Sequence, residues 1–129
     1  MSHFSTIKTK IKHKPQLVEA LELLQYNVKE DLELRVTGAH GIRHETVEAE
    51  VAIAKDVGFR LNPHTNEYEL VADLETWNQP IPVERFVDKV TQQYARMVLH
   101  NTIKKEGFVV DEEWEMEDNS IELTVSRWE

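Results

Sequence analysis

Between Val83 and Val98, apolar residues recur at steps of three and four: Val83, Phe86, Val87, Val90, Tyr94, Met97 and Val98. That spacing lines one side of a helix instead of alternating across a strand. Pro82 suits a first helical position, and Glu84 and Asp88 place negative charge near the positive end of the helix dipole. Lys104 and Lys105 complement the other end, and Gly107 can take the left-handed turn that stops the helix. A helix from Val83 to about Lys105 is about 34 Å long at about 1.5 Å per residue. Alone in water it would be marginal, so its apolar stripe must lie on a sheet.

The rest of the chain alternates with a period of two. Ser5, Ile7, Thr9 and Ile11 alternate with Thr6, Lys8 and Lys10, which predicts a half-buried first strand. Pro15 then opens a short helix with Leu17, Val18, Leu21 and Leu24 on one face. Strands follow around Leu32–Val36 and Val47–Ile53. Phe59 and Leu61 lead into the turn cluster Asn62-Pro63-His64-Thr65-Asn66, after which Tyr68, Leu70, Ala72 and Leu74 are the expected buried positions. Beyond the long helix, Val110, Trp114 and Met116 alternate with acidic residues, Asp118-Asn119 turns, and Ile121, Leu123 and Val125 close a second hairpin. The order predicts an α+β fold: a mainly antiparallel sheet of five to seven strands with two helices packed on one face.

A length of 129 residues with 40% hydrophobic content fits one domain spanning 1–129. No apolar run is long enough for a membrane span, and the opening residues lack the apolar core of a signal peptide. The absence of cysteine excludes disulfides, thiolate catalysis and Cys-based metal sites. A formal charge of −9 opposes nucleic acid as a partner. The one basic run, Lys8 to Lys14, reads as a solvated strand edge, where lysines discourage aggregation.

Several blocks resemble a known family: Met1 to Thr9, Asp56-Val57-Gly58-Phe59, Tyr68 to Phe86 with its Trp-Asn-Gln-Pro-Ile-Pro core, Gln92-Gln93-Tyr94-Ala95, and Ser120 to Trp128. This is the hypothetical chloroplast open reading frame thirty-five family of cyanobacteria and algal plastid genomes. Thr37 to Thr46 has no match in the family pattern. The resemblance implies a plastid stromal or cyanobacterial cytoplasmic protein with no assigned biochemical role, and it brings no catalytic residues.

No constellation in the residues points to a reaction, and no cofactor is expected. His40 and His44, near Glu45 and Glu48, are the tightest metal-ligating pair, but they fall in a loop, where a spacing of four does not put both rings on one helical face. The set Asp111, Glu112, Glu113, Glu115, Glu117 and Asp118 reads as a solvated acidic face, with Asp111, Glu113 and Glu115 together on one side of a strand. Two surfaces remain as candidates for binding a protein partner. The proline-stiffened loop carries Trp77, Asn78 and Gln79, where the indole either presents apolar area to a partner or folds back over Phe86 or Val83 while Asn78 caps the turn. The polar side of the long helix carries Arg85, Lys89, Gln92, Gln93 and Arg96, either solvated or a dock for an acidic protein, with Arg85, Lys89, Gln92 and Arg96 as the candidate contacts. The expectation is therefore a small non-enzymatic binding protein; the alternative is an enzyme or small-ligand binder with a pocket between sheet and long helix. Edge strands also allow a homodimer.

Overall fold

The structure, a computed structural model, describes residues 4–37, 44–118 and 120–127. Among these, the order is β1 (Ser5–Lys8), α1 (Lys14–Leu23), β2 (Lys29–Thr37), β3 (His44–Ala54), β4 (Val57–Asn62), β5 (Glu67–Ala72), α2 (Val83–Lys105), β6 (Phe108–Glu115) and β7 (Ile121–Arg127). Five strands form an antiparallel sheet in the order β1-β5-β4-β3-β2, and β6-β7 form a separate two-stranded sheet. The fold is α+β, as the alternation of periods predicts.

Both helices lie on one face of the larger sheet. Leu17, Ala20 and Leu21 of α1 and Phe86, Val90, Tyr94 and Met97 of α2 share a core with Val51, Val57, Phe59, Leu70 and Ala72. Phe86 is its centre: Tyr26 and Trp77 meet its ring edge-on at 5.3 and 5.4 Å between centroids, and Phe59 stacks at 6.2 Å. The Tyr94 hydroxyl accepts the backbone N–H groups of Lys12 and His13, both at 3.0 Å. Those amides precede α1, whose N-cap His13 makes no side-chain cap, so α2 supplies what the local sequence does not. Pro82 sits at the N-cap of α2, one residue before the expected position, and its carbonyl accepts the Phe86 N–H at 2.9 Å.

The second face of the sheet is covered by the chain's own β2–β3 hairpin. β3 stays paired with β4 only from Val51 to Ala54; before Val51 it departs, and the Leu61 N–H that loses its strand partner bonds the Glu50 carboxylate at 2.5 Å. Asp31 on β2 takes a left-handed conformation, φ 53°, opposite this departure. The distal arm then folds back, and its Arg35 N–H reaches the Lys55 carbonyl at 2.8 Å. Leu34 and Ala49 become buried with Ala52 and Val71, and Phe4, Leu32 and Val47 pack around them. Gly58 makes room for this: a Cβ there would lie 2.8 Å from the Val51 carbonyl oxygen, 3.0 Å from Ala49 Cβ and 3.1 Å from Leu34 Cδ1.

Burial on two faces corrects the expected alternation in β5. Every residue from Tyr68 to Ala72 is buried, the reading of a central strand covered on both sides. Leu74, expected inside, is 44% exposed. The strand ends at Ala72, and the buried Asp73 accepts the Glu75 N–H on Oδ1 at 2.9 Å, which turns the chain outward before Leu74.

Substituting Gly58 with Ala is expected to destabilise the protein by about 1–3 kcal/mol, because the strand carbonyl cannot yield without breaking sheet pairing. Gly107 (φ +84°) has nothing within 4 Å of its Cβ direction, so its Ala variant loses only about 1 kcal/mol of backbone preference. Urea unfolding of the two variants separates the steric cost from the conformational one.

Candidate functional site

The long helix is packed on two flanks. One flank meets the core; the other meets the β6–β7 hairpin, which runs back along it. The tie is a carboxylate: Glu113 on β6 is bonded by Arg96 Nε, and its other oxygen lies 2.7 Å from His100 Nε2. An ionised carboxylate only accepts, so a hydrogen bond at this contact requires the proton on Nε2. The Arg96 guanidinium first, and the His100 hydrogen bond after it, hold the Glu113 carboxyl below its ordinary range against the opposing effect of burial.

A bulge puts Glu113 there. The β6–β7 register shifts between Val110 and Glu112, so Phe108 and Val110 pair with Arg127 and Val125, while Glu113 and Glu115 pair with Leu123 and Ile121. Cross-strand partners share a face, and the extra residue therefore moves Glu113 and Glu115 to the side of Val110 and Trp114 to the other. This corrects the reading of Asp111, Glu113 and Glu115 as one solvated face. Glu113 is half-buried against α2, and Trp114 is 42% exposed.

The hairpin also divides the polar stripe of α2. Arg96 is engaged by Glu113, whereas Arg85, Lys89 and Gln92 line an open polar groove of about 270 Å³ with Leu24, Gln93 and Glu115. Among the described residues Arg85 and Lys89 form no ion pair with Asp88 or Glu115, the two carboxylates of the same groove. Gln93 belongs to the polar stripe of α2 itself, whereas Glu115, one of the acidic set on β6, reaches the groove through the bulge and the docking of the hairpin. The Gln93 side-chain oxygen is shut away from solvent without a hydrogen-bond partner. A second, apolar cavity of about 500 Å³ lies between the end of α2 and the start of β6, lined by His100, Ile103, Phe108, Val109 and Val110 among others.

Trp77, Asn78 and Gln79 do not line the groove. Trp77 folds back: its indole N–H donates to the Ile81 carbonyl at 2.8 Å and its ring meets Phe86. Asn78 is exposed, Gln79 is half-buried, and α2 has no side-chain cap. The Thr76 hydroxyl donates to Asp56 at 2.5 Å, which pins the loop to the β3–β4 turn. His40 lies outside the described residues, as does the side chain of His44; among the described residues no group of three His, Asp or Glu is placed to hold a metal ion.

A family model described as a protein of unknown function, DUF1257, matches residues 20–124. Similar chains, each called uncharacterized protein ycf35, occur in Guillardia theta (35% identical), Cyanophora paradoxa (34%) and Pyropia yezoensis (33%), each alignment covering 99% of this chain and 98% of the relative. No solved structure matches. The family resemblance read from the Trp-Asn-Gln-Pro and neighbouring blocks is thus correct, and the similarity runs over nearly the whole chain.

Because the Glu113 carboxyl is lowered in the folded state, its contribution is complete above the ordinary glutamate range and is lost as pH falls through that range toward the folded value. Glu113→Gln is expected to cost about 1 kcal/mol at neutral pH, since the tie is part-exposed, and to flatten the acid side of the stability profile. Denaturant midpoints across pH for both proteins measure this.

Proposed function

We propose that this chain, which belongs to the DUF1257 family of proteins of unknown function, is a binding protein of the plastid stroma or cyanobacterial cytoplasm that takes a carboxylate-bearing protein segment along the outer flank of α2. The observation that carries this reading is the split polar stripe. Arg96 is neutralised by Glu113, whereas Arg85 and Lys89, one helical turn apart, stand in a groove without an ion-pair partner among the described residues. Cations so placed attract a carboxylate through electrostatic complementarity, which sets association rate and register more than raw affinity. Asp88 and Glu115 repel an uninterrupted acidic run, so the fitting segment carries spaced carboxylates, not a polyanion. The Asn78 amide stands outside the groove in a loop that Trp77, Thr76 and Asp73 hold still, a low-cost place for an auxiliary contact.

The apolar cavity at the end of α2 supports a second reading, a small apolar ligand held between helix and hairpin. It differs from the pocket expected between the main sheet and α2, because the core fills that space.

Immobilised wild-type protein is expected to retain a partner that elutes as salt rises, and the double variant Arg85→Glu/Lys89→Glu to lose it while the fold, read by circular dichroism, is unchanged. Asn78→Ala/Gln79→Ala should weaken retention only slightly. Salt-independent retention, or retention unaffected by the charge reversal, contradicts the groove as the binding surface.

A further inference from the structure

We propose that β7 is a self-recognition edge: two copies of this chain pair antiparallel along Ile121–Arg127 about a two-fold axis at Thr124, merging their two-stranded ribbons into one continuous sheet. The starting observation is that the ribbon, though seated on α2, joins no further strand among the described residues. Among these, β6 and β7 pair only with each other, and such a ribbon is marginal by itself.

Its two outer edges differ in kind. β6 is interrupted by its bulge and carries Asp111, Glu112, Glu113 and Glu115, features that keep another strand away. β7 is the regular strand, with one acidic residue, Glu122, and one basic residue, Arg127. The Arg127 guanidinium lies over the Phe108 ring, 5.3 Å from its centroid. Backbone phase then selects a register. The Met116 N–H bonds the Ser120 carbonyl at 2.8 Å, and inward-bonding positions recur every second residue. Glu122 and Thr124 therefore bond toward β6, and Leu123 and Val125 present N–H and C=O outward.

Antiparallel pairing about Thr124 sets Leu123 of each copy opposite Val125 of the other, so that the outward-facing backbone groups close a hydrogen-bonded pair. The same register sets Glu122 opposite Ser126 and Ile121 opposite Arg127, and no like charges meet directly. The Leu123–Val125 pairs fall on the side of the ribbon that faces α2. There Val125 is 40% exposed, and Leu99, which shares a small cavity with Ile121, is 38% exposed. The arrangement is isologous and closed, so it stops at two copies.

The chain has no cysteine, which makes single-cysteine cross-linking clean. Thr124 would meet its symmetry mate as a non-hydrogen-bonded pair with Cα atoms about 4.5 Å apart, within disulfide reach. Mild oxidation of full-length Thr124→Cys is expected to give a covalent dimer, reversed by thiol. Glu122→Cys and Ser126→Cys should each form no disulfide alone and cross-link when mixed. Light scattering of the unsubstituted chain should give a dimer mass whose fraction rises with salt, because each copy carries the same net charge of −9. A monomer mass at every concentration, no disulfide from Thr124→Cys, or equal cross-linking at all three positions overturns the proposal.

Discussion

The carboxylate of Glu113, held by Arg96 and His100, seats a ribbon of two strands on a helix that already serves the core. Such a ribbon cannot bury enough apolar surface to stand alone, so its position depends on this attachment and on the apolar residues it aligns. The attachment also decides which polar groups of α2 remain on the surface. Arg96 becomes part of an internal junction, and Arg85, Lys89 and Gln92 are left on the rim of a groove that the ribbon's own Glu115 helps to form. Architecture and candidate function therefore meet in one place, where the second sheet stops covering the helix.

The larger sheet solves a related problem differently. One face is covered by two helices, and the other by the folded-back β2–β3 arm, with Gly58 beneath Leu34 and Ala49. Where β3 leaves β4, Glu50 replaces the missing strand carbonyl as acceptor for Leu61. A sheet buried on both faces gives α2 a rigid base, and Phe86 anchors the entry loop to that base through Trp77. The Trp-Asn-Gln-Pro block is thus first a joint: its indole is spent on packing and on the Ile81 carbonyl, and its exposed amide is what remains for recognition.

How much of this could be read from residues follows from the range of the interactions involved. The apolar stripe of α2, the lysines at its end and the Gly107 stop are local signals, and the helix spans Val83–Lys105 as they predict. The class of fold follows from where the period changes between two and three-to-four. What escaped is non-local. The bulge near Asp111 leaves no mark in the alternation of acidic and apolar residues, yet it turns Glu113 from a solvated charge into a ligand of Arg96. Nothing near Gly58 announces that a hairpin from elsewhere will lie on it, and Leu74 kept the right parity after its strand had ended. The candidates Arg85, Lys89 and Gln92 were legible as a helical stripe; their separation from Arg96 was not, because it depends on where the ribbon docks.

If the two-flanked helix is the organising feature, the ribbon should depend on the Arg96–Glu113 tie while the central sheet does not. Amide hydrogen exchange on Arg96→Gln, Glu113→Gln and the double variant tests this directly. Faster exchange confined to β6–β7, with the double variant no worse than either single one, is the predicted result. Unchanged protection of β6–β7, or an equal loss in β3, β4 and β5, would contradict it.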